Sequence, residues 1–391
     1  MSALPLPVRA LNAAGRIPAS RRNPRFRLDK GTVIAEARRR AGWADFGPDY
    51  FEEGLDALLR SLERDVDLEL LGQIALRESI IDNLTNRLLL AQARAWRPEV
   101  FREPLQPPIV VTGLHRSGTT YLHRLLSCDP TRRAPAYWQL VSPLVRPGDE
   151  DLRRRRARRS LQWRKRVMPS LDRMHVIGVD DPEECQYLTA TSFESVFFWS
   201  LAPVTGYLDW YQSHDRTMKY VEWRQWLQVL QQQCGGRPLV LKAPEHLGAL
   251  AALVEAVPEA RVVQIHRDPV TAFASFLDMT LATQTISGHV DVSRTRQASL
   301  ALFESELGAN AAFRRANPEA VADVEYEQLV ADPVATVAGV YEMLGEPEPP
   351  GLRPAAEMYA DRHPQYEHGE HRYDVADSEP VRHRLERAAS A

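Results

Sequence analysis

Residues Pro107 to Leu126 read PPIVVTGLHRSGTTYLHRLL. Ile109, Val110 and Val111 are apolar and β-branched, the composition of a strand buried on both faces. Gly113 to Gly118 is a tight loop bounded by glycines. From Thr119 onward, Tyr121, Leu122, Leu125 and Leu126 recur with the one-sided spacing of a helix. Strand, loop and helix in that order make an anion cradle. The first N–H groups of a helix have no partner within it and carry the positive end of its dipole, so they hold phosphate-like oxygens.

The spacing is similar to the nucleotide-binding pattern G-x-x-x-x-G-K-[ST]. Gly113, Gly118 and Thr120 fit it, but Thr119 stands at the lysine position. Without that lysine, ordinary nucleotide triphosphate hydrolysis is disfavoured, and the loop's cation becomes Arg116.

Composition bounds the rest. The chain has 391 residues, of which 44% are hydrophobic and 26% charged, so it can bury a large core in one or two domains. A net charge of −3 projects no general field for nucleic acid. Cys128, Cys185 and Cys234 are odd in number and far apart, which suggests neither a disulfide framework nor a zinc site and fits a reducing, cytoplasmic location. No apolar run is long enough to span a bilayer, and the N-terminus lacks a signal-peptide pattern.

Outward from the loop, residues 1–30 read as an extended arm and 31–104 as an all-helical region ending near Trp96. That region is either an acceptor-side lid, a dimer surface or plain support for the sheet. Residues 105–391 alternate strand and helix. Pro238 to Leu241, Arg261 to Ile265 and Val321 to Tyr326 are the further strands, and Lys242 stands at the carboxyl end of the first of these. The fold class is therefore α/β, a mostly parallel sheet flanked by helices. Ala243 to Val257 and the segment from Val270 past Leu277 are expected helices, as is the charged C-terminal segment. Asp180 to Glu184 has the form of a helix start. The run Arg153 to Arg166 suits either a solvated helix face or an anionic-acceptor or membrane-surface patch. Aromatics crowd residues 193–230, mostly as core, with one face able to line an apolar acceptor site.

Arg267 ends a strand and Ser275 lies eight positions on, about two helical turns into the next helix. A guanidinium fork and a hydroxyl then approach one point, suited to a phosphate. The strings RSGTTYL at 116–122 and VVQIHRDPVTAFAS at 262–275 resemble the 5′-phosphosulfate and 3′-phosphate motifs of the sulfotransferases, in order and spacing. Arg116 replaces the common lysine and Tyr121 the common tryptophan. Tyr326-Glu327, Asp332-Pro333 and, in a bacterial branch, Gly369 to Tyr373 resemble later family segments.

The resemblance implies a P-loop-like fold and transfer of a sulfuryl group from 3′-phosphoadenosine 5′-phosphosulfate (PAPS) to a hydroxyl or amine of a small acceptor, with no metal. It implies that Arg116, Ser117, Gly118, Thr119, Thr120, Tyr121, Arg267, Ser275 and Tyr326 hold the donor, with Arg116 and Lys242 stabilising charge at the transferring group. The base is less defined. In the family, cytosolic members use a histidine two residues after the lysine, where this chain has Pro244; others use a glutamate roughly twenty residues past the loop, where the nearest position here is Gln139. Glu184 and His246 are the expected candidates, with Glu183 and Glu245 behind them. A nucleotide-dependent kinase and a non-catalytic nucleotide-binding adaptor are the alternatives. A homo-oligomer is left open.

Overall fold

The computed structural model describes residues 12, 27–167, 176–363 and 378–390. Most of the expected N-terminal arm and the segment Gly369 to Tyr373 lie outside the described residues.

The sheet has four strands, β1 (Ile109–Gly113), β2 (Val240–Lys242), β3 (Arg261–His266) and β4 (Val321–Glu325), all parallel in the order β2-β1-β3-β4. Side chains alternate across a strand, and both faces here are covered. Ile109, Val111, Val263 and Ile265 pack on one face with Leu122, Leu125 and Val340. Val110 and Val262 pack on the other, in a larger cluster that also holds Val33, Leu58, Leu84 and Trp226. The N-terminal helices thus share a core with the sheet.

Those helices are α1 (Lys30–Ala41), α2 (Phe51–Asp65) and α3 (Leu70–Trp96). Asp29 caps α1 by accepting from Thr32 N, and Gly42 ends it with φ 64°. The 27-residue α3 buries Ile80, Ile81, Leu84 and Leu88 along one side. Beyond β1 lie α4 (Thr119–Leu126) and α5 (Arg153–Val167), and before β2 lies α6 (Thr217–Gln233). After β3 come α7 (Pro269–Gln284) and α8 (Val292–Ala316), and after β4 comes α9 (Tyr326–Ala331). A C-terminal helix, α10 (Ser378–Ser390), packs on α8.

Two local expectations are corrected. Asp180 to Glu184 does not start a helix; it is a turn in which Pro182 bridges Ala136, and the helix that follows is only Gln186–Thr189. The segment after β2 opens as a 3-10 turn, Pro244–Ala249, before a short α-helix, Leu250–Ala256. The tighter winding changes which way residues 244–246 point, and that decides one candidate base.

Candidate active site

The loop after β1 is held by unusual backbone angles. Gly118 has φ 98°, and a Cβ there would come 2.8 Å from the Tyr326 ring. Arg116 has φ 70°; among the described residues only Phe193 is another non-glycine residue with positive φ. A side chain held in that region usually marks a functional constraint. Ser117 is buried, and its Oγ has no hydrogen-bond partner among the described residues. An oxyanion bound by the loop would supply what that hydroxyl lacks.

Arg116 ties the loop to the second motif. Its Nε donates to Ser275 Oγ at 3.1 Å, and its carbonyl accepts from Arg267 Nη1 at 2.9 Å. The Arg267 guanidinium lies 4.2 Å from the centre of the Tyr326 ring. Arg116, Gly118, Arg267, Ser275 and Tyr326, far apart in sequence, therefore form one continuous wall. Tyr121 stands half-buried at its edge, its ring 6.4 Å from Tyr359, and burial pushes its hydroxyl pKa up.

Lys242, the last residue of β2, pairs with Val111 in the sheet and is buried. Its Nζ donates to Glu184 Oε1 at 2.6 Å and to Thr120 Oγ1 at 3.1 Å, and lies 4.0 Å from Glu183. One ammonium thus joins the loop helix to the turn carrying two carboxylates. Glu184 borders a cavity of about 870 Å³ together with His115, Arg116, Thr119, Thr120, Arg267 and Tyr326. The remaining wall is largely apolar. It comes from α3 (Ala75, Leu76), from Tyr187 and Phe197, and from α7 (Phe276, Met279).

His246 is a correction. The 3-10 turn leaves Pro244 on the cavity wall and sends His246 into the core. There its Nδ1 lies 2.8 Å from the Tyr220 hydroxyl and its Nε2 3.2 Å from Cys185 Sγ, and burial pushes its pKa down to about 3. Glu245 is likewise enclosed. It accepts from Ser195 Oγ at 2.6 Å and from the Thr189 hydroxyl, and pairs with Lys219 at 3.2 Å. Gln139 is engaged locally, accepting from Ala136 N at 3.0 Å.

Sequence reasoning missed two residues, one on the cavity wall and one buried behind it. His115, inside the loop, packs on Phe276 at 4.7 Å, and burial pushes its pKa down to about 4. Its Nε2 lies 3.8 Å from Glu306 of α8, whose carboxyl burial pushes up to about 8. The histidine was visible between Leu114 and Arg116; its buried carboxyl partner, 191 positions away, left no sequence signal. Among the described residues, no cluster of His, Cys, Asp or Glu has the makings of a metal site.

The profile of the Sulfotransferase family matches residues 107–350, from the start of β1 past β4. The chain belongs to that family. It is 30% identical to the sulfotransferase STF1 of Mycobacterium tuberculosis H37Rv, whose crystal structure covers 91% of this chain and is itself 98% covered, with a TM-score of 0.80. The sulfotransferase STF9 of Mycobacterium avium has the same fold, with a TM-score of 0.81, 22% identity and coverage of 92% and 96%. A Mycobacterium bovis protein named omega-hydroxy-beta-dihydromenaquinone-9 sulfotransferase Stf3 is 24% identical over 288 residues, 66% of this chain and 68% of that one. The chain is thus a sulfuryl-transfer enzyme of bacterial type on the P-loop-like fold, and the kinase reading, already weakened by Thr119, falls away.

Proposed function

We propose that this sulfotransferase moves the sulfuryl group of PAPS to the hydroxyl of an elongated, largely apolar acceptor. The observation that carries the reading is Lys242, hydrogen-bonded at once to Thr120 of the loop helix and to Glu184 on the cavity wall. The loop N–H groups, Ser117, Thr119 and Thr120 grip the 5′-phosphate. Arg267 and Ser275 take the 3′-phosphate, with Tyr326 backing the guanidinium and Tyr121 facing the adenine. The acceptor's carbon chain lies along α3 and α7, where the wall is apolar.

Glu184 takes the hydroxyl proton as the acceptor oxygen attacks sulfur. A new S–O bond forms, the bond from sulfur to the bridging phosphate oxygen breaks in line, and its electron pair leaves on the phosphate. Arg116 and Lys242 stabilise that charge, and cations already held in place by the fold do this without reorganising. In the free enzyme Lys242 holds Glu184; when the donor draws the ammonium toward its bridging oxygen, the carboxylate is freed to act as base.

The Stf3 relative is named for a hydroxylated isoprenoid quinone, an acceptor of the class the apolar wall suits. Incubation with radiolabelled PAPS and a long-chain prenyl alcohol dispersed in detergent should yield a labelled sulfate ester. Absence of transfer to any hydroxylated lipid, with transfer to a sugar instead, would overturn the acceptor class.

A further inference from the structure

Helix α5 carries eight arginines and one lysine in 15 residues and no acid, in a chain whose net charge is −3. It buries only Ala157, Leu161 and Val167, which share one side. Its first turn is fastened to the body. Arg153 donates to the Pro143 carbonyl at 2.6 Å and lies 4.9 Å over Trp138, and Arg154 pairs with Asp180. The opposite side is different. Arg155, Arg159 and Arg166 are exposed, have no ion pair among the described residues, and follow one another at helical spacing. Trp163 lies between these two sides; it is 48% exposed, yet it borders the cavity, as does Val167. One helix therefore presents cations outward and apolar wall inward, with a tryptophan at the rim where the two meet.

We propose that α5 seats the enzyme on an anionic membrane surface, with the cavity rim against the lipid. Clustered arginines are drawn to anionic headgroups, and a half-exposed tryptophan suits the boundary between headgroup and chain. A nucleic acid would meet the same cations but would have no use for an apolar rim. The further consequence, that the acceptor enters from the bilayer, rests on the acceptor class proposed above; the docking itself does not.

The test is flotation of the full chain with phosphatidylcholine vesicles, with and without phosphatidylglycerol. Binding is expected only with phosphatidylglycerol and should vanish at molar salt, where charges are screened within about 3 Å. The triple variant R155E/R159E/R166E should lose at least about tenfold in vesicle binding, given roughly fivefold per cation near such a surface. Its affinity for adenosine 3′,5′-bisphosphate should stay at the wild-type value, which controls for folding. The lysine variant R155K/R159K/R166K should keep vesicle binding. No vesicle binding by the wild type, equal binding to neutral vesicles, or an undiminished triple variant overturns the proposal. Preference for duplex DNA over the vesicles reassigns the helix and also overturns it. Vesicle binding without sulfate transfer to an embedded prenyl alcohol would leave the docking standing and count against the acceptor class.

Discussion

Two lysine–glutamate pairs lie on either side of β2 and its following turn. Lys242 with Glu184 and Lys219 with Glu245 have the same chemistry, with N···O distances of 2.6 and 3.2 Å and both lysines fully enclosed. They differ in what the carboxylate faces. Glu184 borders the cavity, so an incoming ligand can reach it. Glu245 is sealed, and the Ser195 and Thr189 hydroxyls complete its shell. Burial would push the Glu245 pKa up, but Lys219 and those hydroxyls outweigh it and hold it below the usual range. The first pair is thus available for chemistry, whereas the second fixes the packing of α6 against the turn. Residue type and charge do not separate the two roles; access does.

The comparison is most exposed to failure at Glu184. Glu184→Gln should cut turnover by about 10²–10⁴, the usual worth of a general base, while folding and donor affinity stay near wild type. Near-normal turnover would remove Glu184 from the mechanism. Lys219→Met should instead strand a buried charge on Glu245 and cost about 3–5 kcal/mol in denaturant unfolding. The double variant Lys219→Met/Glu245→Leu should recover much of that loss. A third measurement separates donor grip from both pairs: Arg267→Ala should weaken binding of adenosine 3′,5′-bisphosphate about tenfold to a hundredfold in calorimetry, since a charge-assisted hydrogen bond is worth about 1.5–3 kcal/mol.

A fourth measurement concerns Glu306, a buried carboxyl that burial pushes up to about 8 despite Arg216 and Lys219 nearby. The folded chain keeps this proton where the unfolded chain has lost it. The contribution is therefore full below the ordinary glutamate range near 4.5 and declines as pH rises toward 8, by up to about 1.4 kcal/mol per pH unit. Glu306→Gln removes that slope, so the variant should gain on the wild type as pH rises from 4.5 to 8. Parallel stability curves for the two proteins would show that Glu306 is charged in the fold, as Glu245 is.

The loop side of the molecule, where we propose that the donor binds, was legible in sequence because backbone geometry demands it. A glycine at a left-handed position, a small hydroxyl at a helix start and an arginine at a strand end are local requirements, written within a few residues of one another. The convergence of Arg116, Ser275 and Arg267 followed from the order of β1, β3 and α7 in a parallel sheet. The apolar side of the cavity, where we propose that the acceptor lies, was not legible, because it is built from contacts distant in sequence. His246 stood close to the expected position, but the 3-10 turn after β2 rotated it into the core. Glu306 and the apolar faces of α3 and α7 gave no signal beyond ordinary amphipathic spacing. The aromatic crowd at 193–230 proved mainly core, with Phe197 its one member on the cavity wall.

Helix α3 meets the turn just beyond α7 so closely that a Cβ at Gly72 would sit 2.3 Å from Ser287. That contact fastens one half of the chamber to the other without involving a single residue of the loop after β1. Substitutions at Ala75, Leu76 or Met279 can accordingly enlarge or narrow the chamber while the loop after β1 stays as it is. On the proposed function, such a division lets acceptor choice change without disturbing the grip on the donor.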